Sequence, residues 1–167
     1  MVYARKPKPG QDKFLIIRDT REQDGKGWTF RASANCLGIE RKKLDVGDYT
    51  VSGLEDILMV ERKTLGDLWN TLGQHLNYKR FLKEIERAKN HKIKYLVIEA
   101  TIAEVNAGYK WSKVSPANIH AKLISLQVKH NVHVIFAGRE DIARAWTRTL
   151  FDKVFRYHLD GTLNENT

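Results

Sequence analysis

Residues Val46–Asp67 read VGDYTVSGLEDILMVERKTLGD, and the fold of the chain turns on how this stretch is laid out. Asp48 opens one expected strand, and Glu61-Arg62-Lys63 closes the next. Between them Ser52-Gly53-Leu54-Glu55 has turn composition, so the two strands are expected to fold back as a hairpin centred near Leu54. That register brings Asp48 close to Glu61. Side chains alternate along a strand, so Ile57, Met59, Glu61 and Lys63 share one face while Leu58, Val60 and Arg62 share the other. One face therefore carries carboxylates and a lysine at its end. Such a set can hold a divalent metal and act on a phosphodiester: Asp48 and Glu61 are the expected ligands, with a backbone carbonyl near Arg62 as a third, and Lys63 orients water or offsets charge.

Working outward, Phe14–Ile17 is a short apolar run, read as a buried strand that ends in Arg18-Asp19-Thr20-Arg21-Glu22. Asp19 and Glu22 are expected to reach the same cleft, and Arg21 and Arg62 to grip phosphates or buttress the carboxylates. Trp28 and Phe30 supply core bulk, and a strand is expected over 39–44. After Lys63 the period becomes helical. Thr64 caps a helix with Leu65, Leu68, Trp69 and Leu72 on one face, and a second helix is expected over 77–90. Tyr95-Leu96-Val97-Ile98 reads as a strand covered on both sides. A short helix over 101–107, a basic and aromatic loop (Tyr109, Lys110, Trp111, Lys113) and a Ser115-Pro116 helix start follow. The Ser115 helix carries Ile119, Leu123, Ile124, Leu126 and Val128 and is expected to end near His130-Asn131. A strand over 132–136 leads to a last helix with Ile142, Ala145, Trp146, Thr149, Leu150 and Val154 on its stripe. Trp111 is the aromatic best placed for stacking on a base. Strands first, then strands alternating with helices, predict an α/β sandwich around a mixed central sheet flanked by helices.

The whole chain sets the limits. Its 167 residues suffice for one domain, expected over 12–159, with a flexible basic tail over 1–11 and a polar tail over 160–167. A net charge of +9 points to a polyanionic partner, most simply DNA. No apolar run reaches membrane-spanning length and no signal-peptide core is present, so an intracellular protein with no membrane partner is expected. Cys36 is the only cysteine and the histidines lack HxxxH or HExxH spacing, which excludes a thiolate zinc cluster and a histidine metal motif.

An aspartate followed by a Glu-x-Lys is the signature of the broad PD-(D/E)xK nuclease group, and its parts are common. Glu40-Arg41-Lys42 repeats the tripeptide. That copy is set aside because no Gly-Asp precedes it on a neighbouring strand and its flanks are too polar for a buried strand. Around Glu61 the match is fuller: Asp19-Thr20-Arg21-Glu22, Gly47-Asp48-Tyr49 and Glu61-Arg62-Lys63 with Asp67 occur in order. Together they closely resemble the ERK-motif nuclease domain of the XPF family, over roughly 14–150, most like its compact single-domain members in phages and bacteria. Arg80-Phe81 with Glu84 and the apolar strand ending in Glu99 continue the likeness.

The resemblance implies a restriction-endonuclease-like fold and a metal-dependent DNA endonuclease using Mg2+ or Mn2+, often on branched or flapped DNA, with a place in repair, recombination or phage DNA processing. It carries catalytic roles to Asp19, Glu22, Asp48, Glu61 and Lys63. Metal binding falls to Asp48, Glu61 and Asp19, and supporting or phosphate-binding roles to Arg21, Arg62, Asp67 and Arg80. Asp67 is read as a partner of Lys63 or Arg62, or as a charge at a helix start. His75, Tyr78 and Arg80 all compete for the family's arginine after the first helix. Many members add a tandem helix-hairpin-helix domain, for which these residues leave no room, so a homodimer or a partner DNA-binding subunit stays open. A DNA-binding scaffold without activity is the alternative reading.

Overall fold

A computed structural model describes residues 12–164; the expected tail over 1–11 and the last three residues lie outside them. The apolar run after Lys13 forms β1 (Phe14–Arg18), followed by β2 (Cys36–Arg41), β3 (Tyr49–Val51) and β4 (Leu58–Thr64). Two helices, α1 (Leu65–Gly73) and α2 (His75–Arg87), then lead into β5 (Ile93–Glu99). The chain continues through α3 (Ile102–Ala107), α4 (Pro116–His130), β6 (His133–Phe136), α5 (Glu140–Leu159) and a 3-10 turn over Thr162–Asn164. The strands make one sheet in the order β2-β1-β3-β4-β5-β6. β1, β3 and β4 run antiparallel in turn, while β2 on β1, β5 on β4 and β6 on β5 are parallel. The expected mixed sheet flanked by helices is therefore what the chain forms. No helix among the described residues is long and apolar enough to cross a membrane.

Alternation along the central strands divides the interior in two. Met59, Leu96 and Ile98 pack with Leu68, Trp69 and Leu72 of α1, Phe81 and Ile85 of α2, and Ile119 and Leu123 of α4. Leu58, Val60 and Val97 point the other way, onto Trp28, Phe30, Tyr49 and the Ala143, Phe151 and Val154 side chains of α5. Each fully buried Leu, Ile, Val, Met or Phe side chain among them contributes roughly 1.5–3 kcal/mol by leaving water. The caps are where their residue types put them. The Thr64 and Ser115 hydroxyls accept from the amides of Asp67 and Asn118, and Asn131 ends α4 in the left-handed region at φ 53°.

Two details differ from expectation, and α4 leaves part of its apolar set in water. The second strand lies at Cys36–Arg41 rather than 39–44, paired with β1 through an irregular register, and Leu44 instead enters the loop that docks on Asp19. On α4, Ile124 and Val128 are 56% and 83% exposed, because only Ile119, Leu123 and Leu126 fall on the face that meets the sheet. On α5, the buried stripe is Ala143, Thr147, Phe151 and Val154, and Ile142 stays 48% exposed. That helix offers two apolar stripes, and the sheet takes the one that seats Phe151 against Phe30, with ring centroids 6.3 Å apart.

Candidate active site

The hairpin delivers its carboxylates through one glycine. Gly47 has φ +73°, and a Cβ there would stand 2.7 Å from Met59 Cγ and 3.1 Å from the Val60 carbonyl, so only glycine lets the chain approach β4 so closely before Asp48. The Asp48 amide then donates to the Val60 carbonyl at 2.9 Å, and Tyr49 pairs with Val60, which puts Asp48 opposite Glu61. The Asp48 carboxylate accepts from the Arg62 amide at 2.8 Å, and its carbonyl accepts from the Asp19 amide at 2.8 Å. The ends of β1 and β4 and the residue just before β3 thus converge on one cleft of about 750 Å3, lined by Asp19, Glu22, Asp48, Glu61, Arg62 and Asp67 among others.

The two faces of β4 do different work. On the first, Glu61 is buried and accepts from Lys63 Nζ at 2.5 Å, and that ammonium lies 5.5 Å above the Phe81 ring. On the second, Arg62 Nε and Nη2 donate to the two Glu99 oxygens at 2.7 and 3.2 Å. Glu99 also accepts from the indole N–H of the buried Trp28 at 2.7 Å. Arg62 further donates to the Lys26 carbonyl and sits 3.5 Å from Glu22. Arg62 therefore ties the loop after β1 to the ends of β4 and β5.

Burial in this cleft works against its own charges. Desolvation, then the neighbouring Asp48, push the Glu61 carboxyl far above the usual carboxylate range, and Lys63 only partly offsets them. Asp48 is raised as well, by burial first, against the pull of Lys63 and the Arg62 amide. Glu22 is raised by burial, partly offset by Arg62. Burial alone would depress the Lys63 ammonium, but Glu61 and Asp48 more than compensate and hold it charged. Carboxylates that repel one another out of water are the environment a divalent cation relieves. Among the described residues no group of three or more His, Cys, Asp and Glu side chains is gathered to hold a metal. A hard oxygen-loving cation such as magnesium is commonly bound through only one or two carboxylates, with water and substrate phosphates completing its shell. The Asp48–Glu61 pair fits that demand.

The remaining expected residues divide. Asp19 is buried, with one oxygen accepting from the Leu44 amide at 3.0 Å and the other from Arg21 Nε at 2.5 Å, so its carboxylate holds the loop here. Arg21 spends its other end on the Leu44 carbonyl at 2.8 Å. Asp67 exchanges hydrogen bonds with Thr64 in the α1 cap and lies at the cleft rim, in contact with neither Lys63 nor Arg62 among the bonds formed. Arg80 is exposed on α2 and lines a second depression beside Glu61 and Lys63, together with Lys83 and Arg87. Glu84 had no assigned role in the sequence reading. Its carboxylate accepts from the Gly47 amide at 3.0 Å, and its charge adds to the repulsion on Glu61 and Asp48. The clue was its position one turn after Arg80-Phe81 on the helix that follows the motif. The Glu40-Arg41-Lys42 copy lies on the exposed end of the edge strand, where Arg41 pairs with Asp24 and Lys42 with Glu55.

A family model described as "ERCC4 domain" matches residues 18–148. Among solved structures, XPF from Aeropyrum pernix in complex with DNA superposes with a TM-score of 0.64 at 18% identity, covering 86% of this chain and 66% of that one. XPF from Aeropyrum pernix in a second structure gives 0.59 at 19% identity, covering 81% and 64%. The chain thus spans just under two thirds of those proteins, and at that identity the likeness speaks for the fold. No curated protein matches the sequence.

Proposed function

Since this chain belongs to the ERCC4 domain family, the one resembled by its three ordered motifs, we propose that it is a metal-dependent DNA endonuclease acting on branched, flapped or otherwise structured DNA. The observation that carries the reading is the pair of the buried Glu61 and the half-buried Asp48, with Lys63 on the same strand face as Glu61, set at the end of a sheet in a basic chain.

Asp48 and Glu61 would hold Mg2+ or Mn2+, which when bound supplies a Lewis acid against the phosphate and lowers the cost of forming a nucleophile from water. Asp19, whose carboxylate here engages Arg21, would have to release it to join them. The protein's own part is positional and electrostatic. Lys63, kept cationic by its neighbours, offsets the charge that grows on the non-bridging phosphate oxygens and orients the attacking water. Arg62 does not reach for substrate: it fixes the Glu22 loop against Glu99, so that the cleft wall is set before DNA arrives. Arg80, Lys83 and Arg87, exposed on α2 or lining its depression, grip the DNA backbone next to the cut. Glu22, half-buried and pushed toward its protonated form, is placed to accept or return a proton at the cleft. DNA is the partner, and a second copy of the chain or a separate DNA-binding subunit would add junction recognition. Such a protein works inside the cell.

The test is a panel of labelled flap, four-way-junction, single-stranded and plain duplex DNA, incubated with Mg2+ or Mn2+ and with chelator. Nicking restricted to the metal-containing reactions, strongest on a branched substrate, is expected. Binding without any cutting across the panel would favour a DNA-binding scaffold instead.

A further inference from the structure

The aromatic loop between α3 and α4 does nothing for the core. Trp111 is 74% exposed, the most exposed large aromatic among the described residues, with Lys110 Nζ 4.7 Å above its ring. The loop that carries it is nonetheless fixed at both ends against α1. The Tyr109 ring packs 6.1 Å from Trp69, and its hydroxyl would lie 3.0 Å from a Cβ on Gly66, the residue before the cleft-lining Asp67. At the other end the Trp69 indole donates to the Val114 carbonyl at 3.3 Å, and Val114 packs on Gly73. Between these anchors a turn closes through the Ser112 amide and Tyr109 carbonyl at 2.9 Å, and the Ser112 hydroxyl accepts from the Val114 amide at 3.2 Å. The loop is thus built to hold Lys110, Trp111 and Lys113 out in water, on the α1 side of the cleft.

An exposed tryptophan is costly to keep in water unless something covers it. Flanking lysines exclude an apolar protein surface and favour a polyanion. An exposed indole with the Lys110 ammonium over its ring, and a second exposed lysine two residues on, suits one ligand chemistry above others: an unpaired nucleobase stacks on the ring while its phosphates meet the lysines. In a paired duplex the base faces are already stacked on one another and closed to the indole. We propose that Trp111, with Lys110 and Lys113, stacks an unpaired base next to the cleft and thereby favours DNA with a single-stranded segment over plain duplex. This rests on the nuclease reading above, and it adds the feature that selects the substrate.

The test is binding by the full chain in chelator, so that no cutting is needed. Tryptophan fluorescence and anisotropy are followed on titration with oligo-dT and with a blunt duplex, for the wild type and for Trp111→Ala. Oligo-dT should quench wild-type emission, and Trp111→Ala should lose most of that quench. The ratio of oligo-dT to duplex affinity should fall about tenfold, the size of one lost base stack. Lys113→Gln, which leaves the ring in place, should weaken both ligands alike and so preserve the ratio. An unchanged ratio in Trp111→Ala, with unfolding curves like wild type, would overturn the assignment even if the enzyme cuts DNA. A chain that binds and cuts no DNA would overturn the nuclease reading itself, and this one with it.

Discussion

Replacing Glu99 by alanine probes the frame that holds the site. Its carboxylate takes the Arg62 fork at 2.7 and 3.2 Å and the Trp28 indole at 2.7 Å. The Arg62 side chain is only 10% exposed and the Glu99 side chain 8%, so the pair is worth treating as buried. Removing one partner of a buried pair costs roughly 3–5 kcal/mol, because the other charge is left without its counterion. An orphaned buried indole N–H adds roughly 1–3 kcal/mol. The two penalties share one carboxylate and do not add in full, and Glu22 at 3.5 Å and the Lys26 carbonyl remain to Arg62. The expected net loss is about 4 kcal/mol, which for a domain of this size lowers the melting temperature by about 8–16 °C. Glu99→Gln retains an acceptor and should lose about half as much. Urea unfolding of both variants, and of Arg62→Met alone and with Glu99→Ala, measures the coupling. Glu99→Ala within about 0.5 kcal/mol of wild type, or a coupling near zero, would refute the frame.

Two further expectations concern the cleft itself. Glu61 has its carboxyl raised from the ordinary 4.5 to about 8 by burial and by Asp48, so between those pH values the folded chain keeps a proton that the unfolded chain gives up. Stability in chelator should therefore be highest at acid pH and fall as pH rises toward 8; Glu61→Gln should flatten that slope, and thermal melts at pH 5.5 and 8 measure both. Gly47→Ala forces a side chain into the left-handed region against Met59 and the Val60 carbonyl, and should cost about 3 kcal/mol in urea unfolding.

The hairpin was legible because a strand's period of two leaves no freedom once the turn is placed: Gly47-Asp48 on one arm and Glu61-Arg62-Lys63 on the other fix which side chains meet. The helix starts at Thr64 and Ser115 were legible from local capping chemistry. Glu99 was legible only as the end of an apolar strand, without its partners. Trp28 lies 71 positions away and Arg62 lies 37, and no local pattern encodes a meeting across two strands and a loop. The buried face of α5 was misread for a related reason. Ile142, Ala145, Trp146 and Leu150 make as good a stripe as Ala143, Thr147, Phe151 and Val154, and only the shape of the sheet beneath decides between them. β2 was placed late in the chain because an edge strand is half exposed and its apolar signal is weak. The carboxylate of Glu84 reaches the cleft from a separate helix, so the hairpin alone could not announce it.

The proposed function requires Asp48 and Glu61 together to make a metal-dependent cutting centre. Its most direct measurement is the nicking rate on flap DNA against Mg2+ and Mn2+ concentration, for wild type, Asp48→Asn, Glu61→Gln and Lys63→Ala, with DNA affinity measured alongside. Metal-dependent nicking that falls at least about a hundredfold in each variant, with affinity kept within a few-fold, is the predicted result. Nicking that persists in chelator, or that Asp48→Asn and Glu61→Gln leave at the wild-type rate, would contradict it.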